Sequence, residues 1–321
     1  MTIATRITEL LKVQHPILLA PMDLVADGKL AAIVSKAGGF GIIGGGYGNE
    51  EWLKRELDAA GDARVGVGFI TWSMAKTPRL LDLALERKPV AVFLSFGDVK
   101  PHADKIKKAG ALMICQIQTV EQAKDAVANG ADVLVAQGGE AGGHGISRGT
   151  FALVPAVVDA ARGVPVVAAG GIADGRGLAA ALMLGADGVL MGTRFYATQE
   201  AVGFQAAKER IVAASGDRTI RGILFDIARR NVWPAPFTGR VLRNEFSEKW
   251  RGREAELMQH QAEEAARYDK ARSTGEFDTA AVIAGESVDM VHDIPPAAEV
   301  VERVAKEAAA LLSGTNRYRV S

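Results

Sequence analysis

The chain has 321 residues, 48% of them apolar, and its 38 basic and 38 acidic side chains leave no net charge at pH 7. That is ample apolar sequence for a large core, and the even balance gives no electrostatic argument for nucleic acid or an anionic membrane as a partner. A single cysteine, Cys115, excludes an internal disulfide and any multi-cysteine zinc site. The opening MTIATRITELLKVQHP is interrupted by Arg6, Glu9 and Lys12, so it lacks the apolar core of a signal peptide. No apolar run reaches the roughly 20 residues that span a bilayer. A soluble, cytoplasmic protein is expected.

Short apolar runs rich in β-branched residues alternate with helical patterns. The first predicted strand is PILLAP (16–21), followed by the helical GKLAAIVSKAG, and the second is FGIIGGG (40–46), followed by EEWLKRELDAAG. VGVGFI (65–70) leads into PRLLDLALER, and AVFLSF (91–96) into KPHADKIKKAG. LMICQI (112–117) precedes TVEQAKDAVANG, and VLVAQG (133–138) precedes LVPAVVDAARG. The last pair of strands, PVVAAG (165–170) and GVLMGT (188–193), flanks GRGLAAALMLG. Most strands lack polar alternation, as parallel strands buried on both faces do. Most helical patterns stop at a glycine.

Eight strands separated by seven helices is the count of an α/β (β/α)8 TIM barrel, whose functional loops lie at the C-terminal ends of its strands. A doubly wound open sheet is the alternative. It usually has fewer strands, and no G-x-G-x-x-G follows the first strand here. Residues 201–285 are charged and rich in helix formers, broken by NVWPAPFTGR, and predict a helical subdomain inserted after strand eight. The barrel then comprises 1–200 and 286–321, with the 295–314 segment as its eighth helix.

The strand ends carry the chemistry. AAGGIADGRG offers Gly170 and Gly171 after the seventh strand, and LMGTRF offers Gly192 and the Thr193 hydroxyl after the eighth. Barrels often bind a phosphate with these two loops, through backbone N–H groups that no Cβ obstructs. Tight turns needing glycine are the plainer reading of either pair alone. AQGGEAGGHG (136–145) follows the sixth strand. Of the five histidines, only His144 follows a strand end between glycines, which places a proton-transfer group at the barrel mouth. Glu140 either orients that imidazole or caps the next helix. Gln137 can both donate and accept, which suits the edge of a heterocycle. No second ligand lies at metal spacing from His144, so no metal is expected. Cys115, within an apolar run, reads as a buried, inert thiol.

PILLAPM, AQGGEAGGHG and AAGGIADGRGLAAALMLGADGVLMGTRF together resemble the nitronate monooxygenase (2-nitropropane dioxygenase) family. FDIARRNVWPAPFTGRVLRN is similar to its subdomain segment, and the resemblance runs from about residue 3 to 315. It implies an FMN-binding barrel. The implied FMN contacts are Pro21 and Met22, Gln137 and Gly142, Gly170 and Gly171, and Leu190, Met191, Gly192 and Thr193 around the phosphate. His144 matches the family's catalytic histidine. Many relatives have asparagine where this chain has Gly68, which leaves that contact to the Gly68 backbone or to Gln116. The glycines of 136–145 would let the loop lie against FMN, with His144 over its reactive face.

The activity so implied is oxidation of alkyl nitronates with O2 to carbonyl compounds and nitrite, the nitronate charge being met by His144. Residues 5–46 are also similar to the start of flavin-dependent enoyl reductases. NAD(P)H-dependent reduction of enoyl thioesters or quinones by FMN is therefore the alternative, and a non-enzymatic barrel that binds a phosphate-bearing ligand is a third reading. Trp233, Pro234, Pro236 and Phe237 serve either as a substrate lid or as packing. The partners implied are a small nitronate and O2, with a homodimer left open.

Overall fold

Phe40 closes the barrel. In this computed structural model, which describes residues 2–314, Leu18 bridges Phe40 in parallel, joining the first and last strands of an eight-stranded parallel sheet. The strands in chain order are β1 (Ile17–Leu19), β2 (Ile42–Gly44), β3 (Gly66–Ile70), β4 (Ala91–Ser95), β5 (Leu112–Ile117) and β6 (Val133–Gln137), then a short β7 (Gly143–Gly145), then β8 (Val166–Ala169) and β9 (Gly188–Met191). The barrel order is β1-β9-β8-β6-β5-β4-β3-β2, and every pairing in it is parallel. The fold is a TIM barrel. Each predicted strand has its counterpart, and the 295–314 helix appears as Ala297–Leu312, packed on Gly175–Met183 and Gly28–Lys36. No helix among the described residues is long and apolar enough to cross a membrane.

The barrel strands are buried on both faces because two cores use alternate residues. Leu18, Ile42, Phe93, Ile114, Val135, Val167 and Leu190 fill the interior, while Ile17, Leu19, Ile43, Val67, Val92 and Leu134 pack under the helices. The short helix Arg6–Leu11 presents Ile7 and Leu11 to the interior core, and the Arg6 guanidinium is anchored to Asp187 at 2.7 Å. A segment read as lacking a leader's apolar core thus donates two apolar residues to the barrel.

Residues 201–285 contain the helices Gln205–Ala213, Leu224–Ala228, Glu245–Trp250, Glu254–Gln259 and Gln261–Thr274. They also contain two strands that the periodicity did not predict, β10 (Thr219–Gly222) and β11 (Thr238–Leu242). These form an antiparallel sheet in the order β10-β11-β7, so this region reaches back and pairs with the loop after β6. A core of Leu224, Phe225, Phe246, Trp250, Tyr268 and Phe277 lies within this region. The strands escaped the sequence reading because TIRG and TGRVL are too short and polar to show a period of two.

Candidate active site

A cavity of about 380 Å3 opens at the C-terminal ends of the barrel strands. Pro21, Met22, Gly68, Gln116, Gln137, Gly142, His144, Gly170, Gly171, Leu190, Gly192 and Thr193 all line it. Of the residues singled out in the sequence, Met191 does not. β9 turns Leu190 inward, while Met191 packs in the outer core at 1% exposure. Alternation along a strand makes this unavoidable.

At one end of the cavity, Gly170 and Gly171 leave β8 with φ of 97° and 72°. That left-handed backbone favours glycine, and a Cβ on Gly170 would stand 2.9 Å from the Gly138 carbonyl oxygen. The amides of Gly171, Gly192 and Thr193 have no hydrogen-bond partner among the described residues. Thr193 Oγ1 accepts from the Gly285 amide at 2.9 Å, which leaves the hydroxyl hydrogen free to donate. Three unpaired N–H groups and a hydroxyl on one wall fit an anionic oxygen cluster such as a phosphate.

Along the floor, Gln137 Oε1 accepts from Gln118 Nε2 at 2.8 Å and from Gln116 Nε2 at 3.2 Å. Its own amide N–H groups are left to donate, as a flavin ring's carbonyl and nitrogen edge would require. Gly68 offers no side-chain space. A Cβ there would lie 2.3 Å from Pro21 Cβ, so the proline ring fills the space that a side chain at this position would need. The Gly68 carbonyl already accepts from the Gly45 amide at 2.8 Å.

The AQGGEAGGHG loop owes several of its glycines to the protein itself. A Cβ on Gly138 would meet Thr150 Oγ1 at 2.0 Å, and one on Gly142 would meet the Ala284 backbone at 2.6 Å. Glu140 accepts from the Thr150 amide with both carboxylate oxygens at 2.9 Å and from Thr150 Oγ1 at 2.8 Å. It therefore caps the helix Thr150–Ala160, whose own N-cap, Gly149, has no side chain to do so. Of its two readings, capping is the one observed. The loop carbonyls are held from outside. Arg221 donates to Gly139 and Ala141 at 3.0 Å each, and Arg240 donates to Gly139 at 3.1 Å. Burial, with Arg240 beside it, lowers the Arg221 pKa to about 10.

His144 sits in β7 opposite Gly239 of β11, and a Cβ at Gly239 would stand 3.4 Å from its Nε2. Nε2 lies 3.1 and 3.0 Å from the two oxygens of Asp226, a residue no sequence signal marked. A carboxylate only accepts, so Nε2 carries the proton and Nδ1 keeps a lone pair. Trp233 stacks on the imidazole with ring centroids 3.5 Å apart and planes 7° apart. The indole is itself wedged against Phe96, Trp72 and Tyr47, and its Nε1 donates to the Tyr47 hydroxyl at 3.2 Å. Trp233 is thus packed and at the same time forms part of the cavity wall. Burial lowers the His144 pKa; Asp226 opposes this, and the nearby Arg229 and Arg221 add to it. The imidazole is consequently neutral near pH 7, a base rather than a cation. Cys115 is fully buried with its thiol pushed up to about 12, and it takes no part.

Comparison with known proteins agrees with this geometry. The family model for nitronate monooxygenase matches residues 4–64 and 70–307, leaving out only the strand around Gly68 between them. A nitronate monooxygenase of Neurospora crassa is 33% identical, over 92% of this chain and 89% of that protein. The structure of FabK from Thermotoga maritima superposes with a TM-score of 0.87 at 33% identity, covering 97% of this chain and 98% of the other. A nitroalkane oxidase of Streptomyces ansochromogenes gives a TM-score of 0.82 at 26% identity, covering 97% and 99%. Flavin dependence is general to the matched family. A TIM barrel with a flavin-compatible mouth, matched over nearly its whole length, is an oxidoreductase, and the chain belongs to the nitronate monooxygenase family.

Proposed function

We propose that the cavity binds FMN and that the protein oxidises alkyl nitronates with O2, so that two nitronates and one O2 yield two carbonyl compounds and two nitrites. The observation that carries this is the His144–Asp226 pair at the mouth of a cavity whose other end offers unpaired amides. FMN, when bound, supplies the electron transfer between nitronate and O2. The Gly171, Gly192 and Thr193 amides would hold its phosphate and the Gln137 amide would donate to its ring, with Pro21 and Met22 also lining the space it would fill. Gln116 orients Gln137, and Gly68 gives way to Pro21.

His144 is the catalytic residue. Its Nδ1 lone pair accepts the α-proton when the substrate arrives as a neutral nitroalkane, and Asp226 fixes the tautomer that makes this possible. Trp233 covers one imidazole face and narrows the access of water. Residues 201–285 act as a cap on the barrel formed by 1–200 and 286–321, because β11 pairs with β7 beside His144 and Asp226 and Trp233 of this region contact its ring.

The test is anaerobic absorbance of the flavin-loaded protein, mixed separately with propyl-1-nitronate and with NADH. The flavin spectrum is expected to change with nitronate and to stay constant with NADH, and nitrite should form once air is admitted. Full bleaching by NADH with no response to nitronate would replace this reading by the enoyl thioester or quinone reductase. A protein that cannot be loaded with FMN would make it a non-enzymatic ligand-binding barrel.

A further inference from the structure

The arginines in contact with the cavity region divide sharply. Arg194 donates to the carbonyls of Ala197 and Asp293 at 2.7 Å and to the Asp293 carboxylate at 3.0 Å. Arg221 and Arg240 are occupied by loop carbonyls, and Arg240 also pairs with Glu286 at 2.8 Å. Two arginines line the cavity itself, Arg272, which is exposed, and Arg229, which is half-buried. Arg229 lies there with His144, Tyr47, Trp233 and Tyr268, and its guanidinium lies 5.7 Å from the centre of the Tyr47 ring. Among the described residues neither side chain makes a hydrogen bond or an ion pair, and of the two only Arg229 is drawn out of bulk water.

A guanidinium presents five N–H donors in a rigid plane, and taking them out of bulk water without partners is costly. Natural cavities keep such a group where a ligand will satisfy it. Its charge is secure: burial works against it, but Tyr47, Tyr268, Asp23 and Asp226 together hold its pKa above the ordinary value. Tyr47 remains a protonated donor, because burial pushes the phenol up to about 12. Its oxygen already accepts from Trp233, so its O–H is left to donate alongside Arg229. His144 is neutral and supplies no charge. The other groups in this part of the cavity are the exposed Arg272, whose charge bulk water already solvates, and the Asp23 carboxyl, which bonds to neither arginine and whose pKa burial raises.

We propose that Arg229 is the specificity residue of this cavity: it binds a planar oxyanion through two of its N–H groups, and so selects the ionised nitronate over the neutral nitroalkane. A nitronate spreads one charge over two oxygens of one plane, as a carboxylate does, and a guanidinium matches that fork. Only the identity of the anion rests on the proposed function; recognition of an oxyanion by Arg229 does not.

Butyrate, a carboxylate isostere of propyl-1-nitronate, is the probe, with butyramide as its uncharged control. Calorimetric titration of the flavin-loaded protein should show butyrate binding, weakened about 30-fold in Arg229→Met, the scale of one charged hydrogen-bonded contact. Butyramide binding and FMN affinity should not differ between the two proteins. KM for propyl-1-nitronate should rise by a similar factor, with a much smaller change in kcat. Arg229→Lys keeps the charge but loses the fork, and should fall between the two, so it decides the matter if the methionine variant does not fold. Asp23→Asn should tighten butyrate binding by removing a competing negative group. Butyrate binding that is absent from the parent protein, or equal in parent and both Arg229 variants, would overturn the inference. Loss of butyrate binding in a protein that ignores nitronate would leave Arg229 as the anion site and remove only the nitronate reading.

Discussion

The two ends of the cavity are built in opposite ways. At the Gly170–Thr193 end, each wall consists of the few residues that leave one barrel strand, so the strand's own burial positions it. At the His144 end, nothing local suffices. The imidazole is held by Asp226, 82 residues away, by the face of Trp233 and by the absence of a side chain at Gly239, while Arg221 holds the loop carbonyls behind it. A site assembled this way separates its tasks. Damage at the first end should cost the cofactor, and damage at the second should cost turnover with the cofactor retained.

Gly170→Val is the strongest attempt to break that contrast. A valine at φ 97° is strained, and its Cβ would stand 2.9 Å from the Gly138 oxygen. FMN affinity, followed by flavin fluorescence, should fall by more than about 100-fold, because a backbone outlier and a clash fall on one residue. A variant that keeps its flavin would show that the β8 turn does not form the phosphate wall.

Asp226→Asn probes the other end. It leaves the shape but removes the group that fixes the tautomer, and kcat for 1-nitropropane should drop about 30-fold while FMN stays bound. The pH profile should move as well. His144 acts as a base when neutral, so activity is held at high pH and lost as pH falls through its lowered pKa. Asp226 raises that pKa, so its replacement should shift the acid limb to still lower pH. A profile that moves the other way, or kcat unchanged, would detach Asp226 from the chemistry.

These two outcomes also mark how much of the molecule was legible in its sequence. The barrel strands could be read because each is a continuous apolar run bounded by a glycine or a helix signal, and burial on both faces leaves no other pattern. The cavity-lining glycines could be read for the same reason, since each follows such a run directly. Met191 shares a motif with Leu190 and Gly192, but strand alternation turns it into the outer core and away from the cavity that Leu190 lines. Asp226 and Arg229 lie in FDIARR, a segment with no periodicity that reports their direction. Only the pairing of β11 with β7 brings them to His144, and a contact between residues so far apart leaves no local trace. The need for glycine at Gly68 is likewise invisible in the sequence, because it comes from the Pro21 ring packed into its Cβ position.

Smaller effects should sharpen the picture. Arg221→Met removes the donor to the Ala141 carbonyl, one of the two donors to Gly139 and the donor to Thr238, so the protein should lose about 2 kcal/mol of stability in a denaturant melt. Turnover should fall with it if the loop, rather than the whole fold, loosens. Trp233→Ala should raise KM for the nitronate only about 3-fold, because the neighbouring aromatic rings close part of the gap. A collapse of kcat in that variant would make the indole more than a wall.

The most direct test is nitrite release in air from propyl-1-nitronate and from 1-nitropropane by the parent protein and by His144→Asn, both loaded with FMN and matched for flavin content. The parent should form nitrite from both, and the variant should lose about 100-fold on 1-nitropropane, with an unchanged flavin spectrum and a far smaller loss on the nitronate, as expected when a positioned proton-transfer group is removed. Equal rates on 1-nitropropane, or a parent protein that forms no nitrite from the nitronate, would contradict the account.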